Sequence, residues 1–211
     1  MKPRSRVLFL ATAVALLAGC SKEPEPKAPA KVEHAPDVFR VKFETSKGDF
    51  LVQVTKEWAP LGADRFFELV QSHFFDGGRF FRVLPKFVVQ FGLNGDPKVS
   101  ALWSNARLPD DPVKQSNIKG KITFATSGPS SRTTQVFINY GDNSRLDSKG
   151  FAPFGEVVSG MDVVERFYFA YGEGAPRGNG PNQDMIETQG NAYLERDFPR
   201  LDYIKKATIQ Q

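Results

Sequence analysis

The chain has 211 residues, of which 40% are hydrophobic and 25% are charged, a composition that excludes a disordered or collagen-like protein. This length predicts one domain with a sizeable core plus an appendage. The net charge is +4, but three of the positive charges lie within the first six residues, so the sequence gives no support for a nucleic-acid-binding surface.

The first twenty residues have the pattern of an export signal. A short region with one lysine and two arginines precedes the apolar run Val7–Leu17, which is too short to span a bilayer. The run ends in Leu17-Ala18-Gly19-Cys20, which resembles the lipobox of bacterial lipoproteins. Residues 1–19 are therefore predicted to be a lipoprotein signal peptide, and Cys20, the only cysteine, is predicted to carry the lipid. An ordinary signal peptide with an unrelated cysteine is the alternative.

Residues 20–37 are predicted to be a solvated tether, because proline, alanine and charged residues alternate there without apolar periodicity. His34 is expected to be solvated and to have no role. Ser21 rather than aspartate follows Cys20, which in Gram-negative lipoproteins accompanies sorting to the outer membrane. The expected location is the cell envelope, with the protein anchored by lipid to the outer membrane and facing the periplasm.

From residue 38 onward the pattern is that of a mostly β domain, assigned to residues 38–211. Apolar and polar residues alternate from Phe39 to Phe43, and a turn at 46–49 leads into a returning strand at 50–55. Pro60 opens a helix that is predicted to end near Ser72. One face of this helix is predicted to carry Ala59, Ala63, Phe66, Phe67 and Val70. The later predicted elements are strands at 80–84, 87–91, 121–125 and 135–139, a helix at 161–169, and a closing strand at 201–209. Many short strands and two helices predict a closed antiparallel barrel capped by helices.

The residue types available exclude most covalent and metal chemistry. Beyond the predicted signal peptide the chain has only His34 and His73 and no cysteine other than Cys20, so a cysteine–histidine nucleophile is excluded. His73 is predicted to cap or pack at a helix end. No spacing of histidine or cysteine suits a metal, and Asp110-Asp111 is predicted to be a surface turn. The glycine-rich run at 172–178 lacks the lysine and hydroxyl residue of a P-loop and is predicted to be a loop. We therefore expect no metal and no cofactor.

One stretch carries a more specific signal. Residues 80–90 place Arg82 and Gln90 among large apolar residues, and the two share parity on a strand although Pro85 lies between them. An arginine in an apolar basin is costly unless a polar group meets it. Either Arg82 extends into solvent above an ordinary core, or it serves a binding or catalytic site.

Three separated motifs resemble those of one family. Residues 80–90 resemble the cyclophilin signature Phe-His-Arg-Val-Ile-Pro-Gly-Phe-Met-x-Gln-Gly-Gly. Residues 120–129 and 134–138 resemble the family strand that contacts peptide backbone and its Ser-Gln-Phe-Phe-Ile motif. Leu146-Asp147 followed by residues 154–161 resembles Leu-Asp-x-x-x-x-x-Phe-Gly-x-Val-x-x-Gly-Met. The chain is thus similar to cyclophilin-type peptidyl-prolyl cis-trans isomerases, in a bacterial lipoprotein form, from about residue 38 to 169.

The resemblance implies an eight-stranded antiparallel barrel capped by two helices and an isomerase that needs no covalent intermediate. Arg82 and Gln90 would be the catalytic residues, with Arg82 stabilising the twisted X-Pro bond. The residues implied to bind substrate are Phe87, Val88, Ala125, Thr126, Gln135, Phe137, Leu146 and Phe151. The implied partners are proline-containing polypeptides exported from the cell, with no nucleic acid, and the protein is expected to be a monomer.

Departures from the family pattern set limits on this transfer. Val88 replaces the usual methionine, and Phe81 replaces a histidine. Arg145 stands at the usual tryptophan position, and this third departure predicts weak inhibition by cyclosporin. From residue 170 to 200 the chain is longer than a minimal cyclophilin. Two other functions remain open: a non-catalytic peptide-binding module or holdase chaperone on the same barrel, and a small-ligand-binding barrel with a deep lumen, which the high phenylalanine content argues against.

Overall fold

The computed structural model describes residues 34–210. The predicted signal peptide, the predicted lipid site at Cys20 and most of the predicted tether lie outside the described residues. No helix within 34–210 has the length and apolar character that crossing a membrane requires.

Eight strands form a single antiparallel sheet. In chain order they are β1 (Val38–Thr45), β2 (Gly48–Thr55), β3 (Arg82–Leu84), β4 (Val88–Phe91), β5 (Lys121–Phe124), β6 (Val136–Asn139), β7 (Pro153–Ser159) and β8 (Ile204–Gln210). Their order across the sheet is β3-β4-β6-β5-β7-β2-β1-β8. The helices are α1 (Pro60–Gln71), α2 (Pro97–Trp103), α3 (Met161–Val164) and α4 (Gln183–Asp197), with short 3-10 turns at Lys56–Trp58 and Ser144–Lys149.

The sheet curls until its two outer strands approach each other at one end. Arg79 and Tyr203, just before β3 and β8, form an antiparallel bridge. Next to it, the Phe80 N–H donates to the Asp202 carbonyl at 3.0 Å. Curling of this kind follows from the twist of antiparallel strands and brings the two edge strands together at that end. The predicted mostly β, eight-stranded antiparallel architecture with helices at the openings is confirmed.

Phenylalanine fills the interior of the sheet. In β1 the side chains of Phe39, Val41 and Phe43 alternate with exposed ones and are buried, as their spacing predicts. The Phe43 ring stacks on Phe50 with centroids 4.8 Å apart, and it meets Phe91 edge to face at 5.8 Å. Each buried phenylalanine contributes about 1.5–3 kcal/mol through its removal from water. Because these rings occupy the centre, the lumen is packed core.

Helix α1 covers one opening of the barrel. Its buried face comprises Ala63, Phe66, Phe67 and Val70, which were predicted to share one side. The helix begins at Pro60, and the next two backbone N–H groups donate to the Asp111 carboxylate at 3.0 and 2.9 Å. Asp111 also accepts from Arg132 at 3.0 Å and is buried. The prediction that Asp110-Asp111 forms a surface turn is therefore wrong for Asp111, which caps α1 from 50 residues away.

The segment after residue 170 contains a long helix that the sequence did not indicate. Within α4, Gly190 has φ 58° and ψ −143°, and a Cβ placed there would lie 2.0 Å from the Gly95 carbonyl oxygen. Despite this break, the buried residues Ile186, Gly190, Tyr193 and Leu194 keep the spacing of one helix face. Helix α2 was also not predicted, and α3 ends at Val164, earlier than the predicted helix.

The end of the predicted tether packs against α1. Ala35 is buried, and its N–H donates to the Asp64 carboxylate at 2.8 Å. The exposed His34 ring contacts the same carboxylate at 2.9 Å, and Lys56 contacts it at 2.7 Å. The folded region therefore includes residues 34–37 of the predicted tether. The His34 side chain is exposed, as a solvated residue would be, but it contacts Asp64.

Candidate active site

Arg82 and Gln90 are brought together by the β3–β4 hairpin. They are direct register partners, and residues 85–87 form the turn between the strands, in which Lys86 has φ 67°. Since opposed residues of an antiparallel pair point to the same face, the two side chains lie side by side. The Arg82 Nη1 group donates to Gln90 Oε1 at 3.0 Å. Pro85 lies in the turn, so it does not disturb the register of the pair.

Gln135 extends this contact across the sheet. It immediately precedes β6, the other neighbour of β4, and its Oε1 accepts from Gln90 Nε2 at 2.8 Å. The Gln90 amide is therefore held from both sides, accepting from Arg82 and donating to Gln135. A glutamine held in this way has one orientation, and it fixes one edge of the guanidinium.

A cavity of about 380 Å³ lies beside these polar groups. The predicted site residues that line it are Arg82, Phe87, Val88, Gln90, Ala125, Thr126, Phe137, Leu146 and Phe151. Of the predicted residues, Gln135 alone does not line it and reaches it through Gln90. The structure thus brings the whole predicted set together.

The apolar part of the cavity is a small cluster separate from the barrel core. Val88, Phe137 and Leu146 are buried in it, and Phe87 and Phe151 pack against them half-buried. The rings of Phe137 and Phe151 meet edge to face, with centroids 5.8 Å apart. An apolar recess of this size beside a few convergent polar groups suits a small apolar ring better than a charged ligand.

Ala125 and Thr126 form the rim of the cavity. The Ala125 N–H donates to the Gln135 carbonyl at 2.9 Å, so it is already used within the protein. The Thr126 hydroxyl contacts Ser131 Oγ at 2.8 Å, within the loop that follows β5. If Ala125 holds a peptide through its backbone, as the resemblance implies, it does so through its carbonyl group.

Two guanidinium groups flank the ring of Phe87. The Arg145 guanidinium carbon lies 5.0 Å from the ring centroid, and that of Arg82 lies 5.7 Å from it. Arg145 is on the 3-10 turn that also carries Leu146 of the cavity. Both distances are within the range of cation–π attraction. Arg145 therefore lies beside the cavity wall.

A buried polar network behind the cavity was not anticipated from the sequence. Asn117 is fully buried, and its Nδ2 donates to Asp147 Oδ1 and to the Phe151 carbonyl, both at 2.8 Å. Its Oδ1 accepts from the Thr123 hydroxyl at 2.8 Å. Burial would raise the pKa of Asp147, but hydrogen bonds from Ser116 and Asn117 hold it below its ordinary value. The network connects β5 to the turn that carries Leu146 and Phe151.

A second missed contact comes from the glycine-rich run, which is a loop as predicted but lies at the cavity. Glu173 accepts from Arg82 Nε at 2.6 Å and from Arg82 Nη2 at 2.8 Å. The hydrogen bond from Arg82 lowers the pKa of the Glu173 carboxyl, so it is ionised at neutral pH. The only local signal was one carboxylate among glycines, which does not indicate a partner 91 residues earlier.

Other candidates do not contribute to the cavity. His73 follows the end of α1, has φ 57°, and contacts Asp76 at 3.2 Å on the surface. Within residues 34–210, no three histidine, cysteine or acidic side chains are grouped so that they could hold a metal ion. The polar groups that line the cavity include two guanidinium groups, amide groups and one carboxylate, and they lie beside an apolar recess.

Comparisons with known proteins identify a match over most of the chain. The family profile "Cyclophilin type peptidyl-prolyl cis-trans isomerase/CLD" matches residues 40–186. A peptidyl-prolyl cis-trans isomerase from Acinetobacter baylyi is 33% identical over 147 residues, covering 63% of this chain and 73% of that protein. Peptidyl-prolyl cis-trans isomerase A from Dickeya dadantii is 34% identical over 159 residues, covering 69% and 80%.

Solved structures agree on the fold. A cyclophilin-type peptidyl-prolyl cis-trans isomerase from Cryptosporidium parvum superposes with a TM-score of 0.60 at 18% identity, covering 82% of this chain and 98% of that one. A second structure of it, obtained in the presence of the dipeptide Ala-Pro, gives 0.58 with 82% and 99% covered.

Proposed function

The chain belongs to the cyclophilin-type peptidyl-prolyl cis-trans isomerase family, and on that premise we propose that it accelerates X-Pro rotation in exported proteins, with Arg82 as the catalytic group and no covalent intermediate. It is an enzyme of this class by its family and its relatives. The observation that carries the proposed mechanism is the position of the Arg82 guanidinium, held by Gln90 at the edge of the apolar recess.

The reaction requires no nucleophile. The barrier to rotation about a peptide bond is about 18–20 kcal/mol and arises from lost amide resonance. When the bond twists, the proline nitrogen becomes pyramidal and gains a lone pair that can accept a hydrogen bond. A guanidinium N–H placed next to that nitrogen binds the twisted state better than either planar isomer, which lowers the barrier.

The remaining cavity residues would bind different parts of the substrate. The ring of the substrate proline would occupy the recess formed by Val88, Phe137 and Leu146, with Phe87 and Phe151 at its sides. Gln90 and Gln135 would orient Arg82 and the carbonyl group before the proline. The Ala125–Thr126 backbone at the rim would hold the peptide extended along β5.

The proposed clients are proline-containing polypeptides that fold after export. The support is the N-terminal sequence, with its positive region, apolar run and Cys20. Lipid on Cys20 would anchor the enzyme in the cell envelope, at the outer membrane and facing the periplasm, and residues 21–33 would connect the anchor to the folded domain. Slow X-Pro isomerisation, which takes roughly tens to hundreds of seconds uncatalysed, limits the folding of such clients.

The test is Arg82→Ala in a protease-coupled assay with a proline tetrapeptide. Removing one preorganised donor lowers turnover on the order of 10²–10³-fold. Peptide binding, measured separately by calorimetry, should fall much less, because the apolar recess is unchanged. Arg79→Ala is the matched control, since Arg79 pairs with Glu195 outside the cavity, at 2.8 Å. Unchanged turnover in folded Arg82→Ala would refute the role of Arg82, and binding without any turnover in the unaltered protein would instead support a holdase.

A further inference from the structure

Residues 171–182, here called the strap, add a wall to the active site. Glu173, Ala175, Pro176 and Arg177 of the strap line the cavity together with the predicted substrate residues. We propose that Glu173 is a positioning residue, which fixes the Arg82 guanidinium in its catalytic orientation before the substrate binds. This inference rests on the proposed catalytic role of Arg82 and assigns a role to a segment outside the three short sequence motifs that resemble the family.

The geometry of the pair leaves Arg82 able to act on substrate. Glu173 accepts from Nε at 2.6 Å and Nη2 at 2.8 Å, a side-on bidentate contact, and Gln90 accepts from Nη1 at 3.0 Å. One N–H of Nη1 and one of Nη2 then remain for another acceptor. A guanidinium keeps its positive charge beside a carboxylate, so Glu173 directs the remaining donors without removing them.

Ordering Arg82 in advance is what the contact contributes to the reaction. A free arginine side chain loses much rotamer freedom when it is fixed, and an enzyme that must fix it during the reaction has a higher barrier. The Arg82 side chain is only 16% exposed and that of Glu173 31%, so water competes weakly for the pair. The arrangement matches the general requirement that catalytic groups be held by neighbours before the substrate arrives.

The strap is folded around the Glu173 backbone. The Glu173 carbonyl accepts from the Gly180 N–H at 2.8 Å, and its Oε1 also accepts from the Gly174 N–H at 3.0 Å. A Cβ at Gly178 would lie 2.3 Å from the Glu173 carbonyl oxygen, so only glycine fits there. This packing specifies where the Glu173 carboxylate lies.

Both ends of the strap pack against α4 and the residue that directly follows it. The Tyr171 ring, at the start of the strap, packs edge to face on Phe198 at 5.0 Å. At the other end, Asn182 caps α4 and its N–H contacts the Tyr193 hydroxyl at 3.1 Å. Phe81, the residue next to Arg82, is buried in the same cluster as Tyr193. The apolar residue at the family histidine position therefore joins β3 to the helix that holds the strap.

The experiment compares Glu173→Gln with Glu195→Gln in the full-length protein. Both substitutions remove a carboxylate that contacts an arginine, but Glu195 contacts Arg79 outside the cavity. We expect Glu173→Gln to lower kcat about tenfold while the Kd for a proline tetrapeptide changes less than about twofold, because the substrate recess is intact. Glu195→Gln should leave both unchanged.

Two further measurements distinguish positioning from a merely structural role. In ¹⁵N-labelled protein, the Arg82 Nε–H resonance should be protected from exchange with water, and Glu173→Gln should remove this protection while the backbone spectrum is retained. Gly178→Ala displaces the strap but keeps the Glu173 carboxylate. This variant should also remove the protection of the Arg82 Nε–H and lower kcat. If Glu173→Gln does not fold, this second variant provides the test.

A double variant separates this inference from the proposed function. Glu173→Gln added to Arg82→Ala should cause no further loss, because Glu173 acts through Arg82. If Arg82→Ala itself keeps full turnover, the proposed catalytic role fails. If Arg82→Ala loses turnover but Glu173→Gln does not, the positioning role alone is overturned. A rise of kcat in Glu173→Gln would also overturn it, since the strap would then inhibit the enzyme.

Discussion

Replacing Asn117 by alanine should weaken both the fold and the substrate recess, because Asn117 connects the two. Its side chain makes hydrogen bonds to Asp147, Phe151, Thr123 and Asn139 and is fully buried. After truncation, Asp147 keeps its bonds from the Ser116 hydroxyl and the residue 117 backbone N–H. Asn139 Nδ2 keeps its bond to the Lys121 carbonyl at 3.0 Å.

Two groups would be left without a partner, the Thr123 hydroxyl and the Phe151 carbonyl. An unsatisfied buried polar group costs about 1–3 kcal/mol, so Asn117→Ala should lower the free energy of unfolding by about 2–6 kcal/mol. For a domain of this size each kcal/mol lowers Tm by about 2–4 °C, which gives a shift of about 4–24 °C. Denaturant unfolding followed by fluorescence would measure the free energy, and calorimetry would measure Tm.

The same variant should show a particular kinetic pattern. Phe151 and Leu146 lose support while Arg82, on another pair of strands, does not, so KM for a proline peptide should rise severalfold with kcat close to the unaltered value. The control is Asn105→Ala, an exposed position where substitutions usually change stability by less than about 0.5 kcal/mol. A stability loss below about 1 kcal/mol, or a fall in kcat without a change in KM, would refute this account of the network.

Three further predictions concern inhibition, pH and anchoring. Arg145 lies over the Phe87 ring, at the position that the resemblance aligns with a cyclophilin tryptophan. We therefore expect cyclosporin to bind roughly 30-fold more weakly than to a tryptophan-bearing relative, and Arg145→Trp to restore much of the affinity. Tight inhibition of the unaltered protein would contradict this. The hydrogen bond from Arg82 lowers the pKa of Glu173 in the folded protein below its ordinary value of 4.5. The ionised carboxylate therefore contributes its full stability above pH 4.5, and this contribution is lost as the pH falls through the lower pKa of the folded state. Tm measured from pH 6 to pH 3 should therefore fall more steeply, by up to a few degrees, in the unaltered protein than in Glu173→Gln, and parallel curves would show that the contact adds no stability. The intact mass of the protein extracted with detergent should equal that of a chain that starts at a lipid-modified Cys20. Cys20→Ser should release the protein from the membrane, and a variant that stays anchored would refute the lipid prediction.

The placement of Arg82 beside Gln90 was predictable because its signal is local, whereas the other site residues came from the resemblance of three separated motifs to one family. Arg82 and Gln90 lie on the two strands of one hairpin, so the short turn between them determines that they face the same side. The alternation in β1 and the amphipathic face of α1 are likewise readable, since burial of one face repeats with the period of the element. The high phenylalanine content also indicated a filled lumen, because large apolar side chains are buried away from water and the interior of the barrel is where they can be buried.

Contacts between distant segments were decided by the tertiary structure alone. Glu173 reaches Arg82 from 91 residues away, and Asp111 caps α1 from 50 residues away. Neither carboxylate has a local pattern that names its partner, since any surface loop can carry one. The break at Gly190 within α4 is also a tertiary feature, because the Gly95 carbonyl comes close to Gly190 only in the folded chain. The amino-acid sequence by itself therefore determined the strand pattern and the chemical class of the site, whereas long-range packing decided that Glu173 contacts Arg82 and that Asp111 caps α1.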